Sequence, residues 1–194
     1  MPAHSRAGNV TGHLFVIAGP SGVGKGTVVR RLRELIPDIE LSVSSTTRQP
    51  RPGETDGVEY RFVSDEEFDR LIAEDAFLEW AEIFGHHRSG TLGAPVTRAR
   101  DAGRDVILEI DVQGAAQIRR RAPGASLIFL APPSREELER RLRGRRTEPE
   151  ADLERRLADA DREMEASVWF DHVVVNDDVE RAAREVADII SVSH

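Results

Sequence analysis

The stretch from Leu14 to Thr27, Leu-Phe-Val-Ile-Ala-Gly-Pro-Ser-Gly-Val-Gly-Lys-Gly-Thr, leaves the chain few ways to fold. Its first residues form an apolar run of the length of one buried strand. Val28, Val29, Leu32, Leu35 and Ile36 then recur at helical spacing until Pro37 stops the pattern. Between the two lie Gly19, Pro20, Ser21, Gly22, Val23 and Gly24, a turn in which glycines let backbone N–H groups converge on an anion. The helix that follows points its positive end at the same place, and Lys25 adds a charge for β/γ-phosphates. The strand–turn–helix order is therefore that of a phosphate cradle. One position departs from the usual pattern. Gly26 stands where a Ser or Thr hydroxyl ordinarily meets magnesium, and Thr27 brings the hydroxyl one residue later.

The rest of the chain alternates between the two periodicities. Ile39–Val43, residues 76–84, Asp105–Asp111, Ser126–Leu130 and His172–Asn176 read as strands. Helices are expected over 25–36, after Ser64, over 94–102, from 113 to Pro123, after Pro132-Pro133, and over 179–190. Ser64 with Glu67 forms a capping box ahead of the stripe Phe68, Leu71, Ile72. Such alternation predicts an α/β fold on a parallel sheet with two insertions. In open sheets of this kind the ligand lies at the carboxyl ends of the strands, so Asp111 is expected to face the same crevice as the glycine turn. Residues 44–62 and 86–91 read as polar loops. Residues 135–162 read as a mobile helical hairpin, because Leu138, Leu142, Leu153 and Leu157 offer only a thin apolar stripe among the charges. Residues 1–12 read as a mobile tail with no apolar targeting core.

Composition excludes several classes. Asp and Glu number 35 against 27 Lys and Arg, which argues against a nucleic-acid or anionic-membrane surface. Cysteine is absent, so there are no disulfides, thiolate metal sites or cysteine nucleophiles. No apolar run approaches the ~20 residues of a membrane span, and the cytoplasm is the expected compartment. The histidines have no metal-ligand spacing. What remains is anion chemistry from local clusters of cations. Arg48 and Arg51, with Tyr60, lie in a Pro/Gly-rich loop where two guanidinium forks and a phenol could hold a phosphate dianion. A cradle, a second phosphate site and an arginine-rich flap together point to phosphoryl transfer between two nucleotides. The weaker alternatives are that the same arginines are solvated loop and helix charges and Glu79 an outward strand residue, while Asp111 could cap the following helix as well as serve the site.

Several motifs in order carry a resemblance. Gly-Pro-Ser-Gly-Val-Gly-Lys at 19–25, Ser-Val-Ser-Ser-Thr-Thr-Arg-Gln-Pro-Arg-Pro-Gly-Glu at 42–54, Asp-Gly-Val-Glu-Tyr at 56–60, Phe-Leu-Glu-Trp-Ala at 77–81 and Ile-Asp-Val-Gln-Gly at 110–114 resemble the guanylate kinases. Ala-Pro-Pro-Ser at 131–134 and Val-Val-Asn-Asp at 174–177 extend the likeness over residues 12–191. Gly-Lys-Gly-Thr is, in addition, the form of the loop in adenylate kinases. The resemblance implies a P-loop three-layer parallel sheet with an NMP-binding insertion at 44–97 and a helical lid at 134–167. The core would be 13–43, 98–133 and 168–194. It implies ATP and GMP as partners, magnesium as cofactor held by phosphates and water, and phosphoryl transfer giving ADP and GDP. Arg48, Arg51 and Tyr60 match the ligands of the GMP phosphate. Ser44, Glu79, Thr91 and Asp111 match the readers of guanine. Lys25, Arg48, Arg145 and Arg156 match the catalytic cations, Gly19 to Thr27 the ATP-phosphate loop, and Asn176 the place of the adenine. Around residue 89 the family's phosphate-binding tyrosine is absent, with Ser89 or Arg88 as substitutes. Arg146 replaces a flap glycine. A binding module that has lost catalysis and a kinase for another phosphorylated acceptor are the rival readings. Use of dGMP, and the choice between a monomer and a homo-oligomer, are left open.

Overall fold

The computed structural model describes residues 11–83, 87–144 and 150–193. Its core is built from β1 (Leu14–Ala18), α1 (Lys25–Leu35) and β2 (Glu40–Leu41). Next come two short strands, β3 (Ser45–Thr46) and β4 (Arg61–Phe62), then α2 (Asp65–Ala73), β5 (Phe77–Ile83), β6 (His87–Leu92) and α3 (Gly93–Asp101). The chain returns to the core with β7 (Val106–Glu109), α4 (Val112–Arg121) and β8 (Ser126–Ala131). It ends with α5 (Arg135–Arg143), α6 (Glu150–Glu165), a 3-10 turn at Ala166–Trp169, β9 (His172–Val175) and α7 (Val179–Ser191).

Five parallel strands in the order β2-β7-β1-β8-β9 form the central sheet. β1 is buried throughout, and its alternation divides the core. Leu14, Val16 and Ala18 face Val96 of α3 and Ala115 and Ile118 of α4. Phe15 and Ile17 face Val28, Val29 and Leu32 of α1 and Ala182, Val186 and Ile190 of α7. Successive side chains of a strand point to opposite faces, so one apolar run supplies both interfaces of a three-layer sandwich. Each fully buried large side chain contributes about 1.5–3 kcal/mol.

The second sheet, ordered β4-β3-β6-β5, is mixed: β3 pairs parallel with β4 and antiparallel with β6, and β6 pairs antiparallel with β5. This corrects two expectations. Residues 87–91 of the segment read as polar loop belong to β6, and the loop read over 44–62 contributes β3, whose Ser45 and Thr46 are fully buried. α2 closes this sheet with Phe68 stacked on Phe77 at 4.5 Å and capped as expected, Ser64 Oγ accepting from the Glu67 amide. Gly12, read as the end of a tail, is buried, its amide donating to Arg100 O and its carbonyl accepting from Arg100 Nε. The thin leucine stripe of the hairpin closes on itself: Leu138, Leu142, Leu153, Leu157 and Ala160 form a small separate cluster. No helix among the described residues is long and apolar enough to cross a membrane. Arg145, Arg146 and His86 lie outside the described residues.

Candidate active site

The glycine turn sits at the carboxyl ends of β1 and β8, where the packing demands its composition. A Cβ on Gly19, at φ +154°, would strike the Leu130 carbonyl. Gly24 is the N-cap of α1 in the left-handed region, at φ 96°, and no side chain caps the helix. The Thr27 and Val28 amides donate to the Gly24 carbonyl, and the positive end of α1 points at the turn, where an anion is favoured. Lys25 Nζ donates to the carbonyls of Gly19 at 2.6 Å and Pro20 at 3.3 Å, folding back over the turn. Gly26 and Thr27 are exposed at the rim.

Behind the turn, Asn176 is buried and its Nδ2 donates to Val23 O at 2.8 Å. Arg141 of α5 reaches the same carbonyl and that of Asn176. Arg156 of α6 is 8% exposed and donates to Ser21 Oγ at 2.8 Å. Both helices of the hairpin therefore touch the turn. Neither Arg141 nor Glu163 was singled out from the sequence, since a charge on a charged helix gives no local sign of the face it presents.

A cleft of about 720 Å³ runs from this turn to the second sheet. Lys25, Ser44, Arg48, Tyr60, Glu79 and Asp111 all line it, as do Ser89, Glu109 and Glu163. Arg48 makes a bidentate pair with Glu54, at 2.8 and 2.9 Å, and its guanidinium lies 5.1 Å from the centre of the Tyr60 ring. The pair with Glu54 raises the Arg48 pKa, and burial pushes the Tyr60 phenol up. Arg51 is exposed and does not line the cleft; its amide donates to Glu54 Oε2. Of the two residues weighed for the missing tyrosine, Ser89 faces the cleft. Arg88 points away, pairing with Asp65 and Asp69 and lying 4.8 Å over the Phe68 ring.

Glu79 is 3% exposed and stands opposite Thr91, itself 1% exposed, across the β5–β6 ladder. Loss of hydration pushes its pKa up to about 7, Thr91 opposing the rise and Asp111 adding to it. Asp111 caps α4, its Oδ1 accepting from the Gly114 amide at 2.6 Å, and burial raises its pKa. Glu109, at the end of β7, and Glu163 are also raised by burial, Glu163 to about 7, with Lys25 opposing in both. The cleft thus concentrates carboxylates whose charge water no longer supports, around a lysine. Hydrogen-bond donors or cations delivered by a ligand would favour their ionised forms.

The sequence model described as guanylate kinase matches residues 11–193. A guanylate kinase of Thermobifida fusca (strain YX) is 54% identical over 192 residues, covering 98% of this chain and 97% of its own. That of Leifsonia xyli subsp. xyli (strain CTCB07) is 56% identical over 180 residues, covering 93% of this chain and 71% of its own. The crystal structure of guanylate kinase from Anaplasma phagocytophilum superimposes with a TM-score of 0.79 at 33% identity, over 95% of this chain and 87% of that one. By fold, by motif order and by likeness along nearly its whole length, the chain belongs to the guanylate kinase family.

Proposed function

We infer that the chain transfers the γ-phosphoryl group of ATP to GMP, giving ADP and GDP. The observation that carries this reading is one continuous cleft with Lys25 at one end and the buried carboxylate of Glu79 at the other. Guanine presents N1–H and a 2-amino group side by side, and a carboxylate accepts from both. Adenine offers an acceptor at N1, which would leave Glu79 buried and unmatched, so the same residue selects one base and rejects the other. Ser44, Thr91 and Asp111 complete the base pocket. Arg48 and Tyr60 hold the GMP phosphate from the cleft wall, with Ser89 beside them, and Arg51 would have to swing in from its exposed place on the loop to join them. Gly19 to Thr27 receive the ATP phosphates, and Asn176 marks the adenine side.

A GMP phosphate oxygen then bonds to the γ-phosphorus as the bond to the β,γ-bridging oxygen breaks and ADP departs. That oxygen is already ionised at neutral pH, so no general base is required. Lys25 leaves the Gly19 and Pro20 carbonyls to neutralise the migrating group, and Arg156, Arg48 and Arg145 enclose it. The second sheet acts as the GMP-binding insertion, 44–97, and α5–α6 as the lid, 134–167, whose closure excludes the water that would hydrolyse ATP. The core is 13–43, 98–133 and 168–194.

The residues present fit magnesium that arrives with the nucleotide. Among the described residues no cluster of three or more His, Asp or Glu could hold a metal by itself. Glu109 and Asp111 nevertheless place oxygen donors beside Lys25, Glu109 Oε1 lying 3.4 Å from the point a Cβ of Gly26 would occupy. Phosphate oxygens and water would hold the ion, with Asp111 nearby. When bound it supplies charge neutralisation at the β- and γ-phosphates. The cytoplasm is the proposed place of action.

A coupled assay of ADP formation with ATP and magnesium, against GMP, dGMP, AMP, UMP and no acceptor, tests the reading. ADP formed with GMP and not with AMP or UMP is the expected result. Activity on all acceptors alike, or on none, refutes it.

A further inference from the structure

β5 is the edge strand of the second sheet, so the backbone groups on its outer side need partners from elsewhere. At Trp80 both are taken by one side chain: Gln117 Oε1 accepts from the Trp80 amide at 3.2 Å, and Gln117 Nε2 donates to the Trp80 carbonyl at 2.6 Å. The residue before Trp80 is Glu79, and the residue three before Gln117, on the same face of α4, is Gly114. A Cβ built on Gly114 would stand 2.5 Å from Glu79 Oε2, 3.1 Å from its Cδ and 3.2 Å from Ile110 Cδ1. The carboxylate thus fills the space that the missing side chain leaves on the first turn of α4. The Gly114 amide, meanwhile, is capped by Asp111, the other acid of the pocket.

We propose that Gly114 and Gln117 are the positioning residues that set guanine specificity, Gln117 by fixing the strand and Gly114 by leaving the carboxylate of Glu79 its seat. The proposal rests on the assignment of GMP as acceptor and deepens it. A methyl group at 114 displaces the far end of a side chain, which can move, and no backbone, so the fold tolerates it. Helix propensity favours the substitution besides. The displaced carboxylate no longer meets N1–H and the 2-amino group together, and the discrimination between GMP and IMP collapses, because IMP has the first donor and lacks the second.

The test compares Gly114→Ala with the wild type on GMP and IMP at saturating ATP and magnesium, with urea unfolding and the KM for ATP alongside. The expected result is a GMP-to-IMP preference reduced at least tenfold. The loss should lie mainly in the KM for GMP, with the KM for ATP within twofold of wild type and an undiminished unfolding midpoint. Glu79→Asp, which shortens the side chain by one methylene, supplies a second readout: adding Gly114→Ala to it should cost less than twofold further. An unchanged GMP-to-IMP preference in Gly114→Ala overturns the proposal. So does an equal loss on both acceptors, or full additivity with Glu79→Asp. A wild-type protein inactive on GMP overturns the assignment of the acceptor itself, and this proposal with it.

Discussion

Replacing Glu79 by glutamine should stabilise the protein at alkaline pH while abolishing recognition of guanine. The unfolded chain ionises this carboxyl near its ordinary 4.5, whereas burial holds it to about 7 in the fold. A group whose folded pKa is raised in this way, and whose burdened form is the anion, favours folding while protonated. It then costs stability as pH climbs from 4.5 to 7, and the whole cost is present above 7. The gap between the two pKa values corresponds to roughly 3 kcal/mol, a substantial share of the stability of a domain of this size. The amide is nearly isosteric and carries no charge, so it escapes that cost. Urea unfolding of Glu79→Gln and wild type is the assay. The variant's advantage should be about 1 kcal/mol at pH 5 and approach about 3 kcal/mol at pH 8. The same variant should lose most of its activity on GMP, because an amide cannot accept from both guanine donors. An advantage that does not grow with pH would refute the argument, since it would place the carboxylate in contact with water or a cation.

Lys25→Ala should lower kcat by about 100-fold or more in the coupled assay, with GMP binding retained by tryptophan fluorescence. Arg156→Ala should lower kcat by about 100-fold with little change in the KM for GMP, because its buried guanidinium reaches the phosphate turn and not the base pocket. Arg88→Ala should reduce stability by about 1 kcal/mol in urea unfolding through loss of its ring contact and ion pairs, without altering the KM for GMP. Ser89→Ala should do the reverse, raising that KM with the unfolding midpoint unchanged.

What the sequence revealed was local. The first strand, the glycine turn and α1 announce themselves because an apolar run, positive-φ glycines and a helical stripe are neighbours in the chain. β6 is hard to see in the sequence for a physical reason: apart from Leu92, which packs against the cluster of Phe68, Leu71 and Phe77, its residues are not apolar. Ser89 faces the cleft, Thr91 stands against Glu79 and Arg88 covers Phe68, so the alternation is real but is not one of apolar with polar. Arg48 and Arg51 share one loop composition, and only the fold separates them, Glu54 holding the first by its guanidinium and the second by its amide. Glu163 has no local signal at all, and Gly114 shows only as the end of the Ile-Asp-Val-Gln-Gly motif, with nothing to say what it makes room for. One matters through the turn it is folded against, the other through an atom it does not have.

The second sheet is an excursion from the core. The chain leaves after β2 and returns through α3, so on the proposed assignment acceptor recognition would travel as a cassette separable from the loop that handles the donor. Such an arrangement invites exchange: a different cassette, grafted at the same two joints, would redirect the enzyme toward another acceptor. The Gln117–Trp80 clip and the seat at Gly114 define what must travel with it. The first turns of α4, though they belong by sequence to the core, form the socket into which the cassette plugs. A graft that respects the two joints but puts a side chain larger than glycine at that socket would fold and still misread its base.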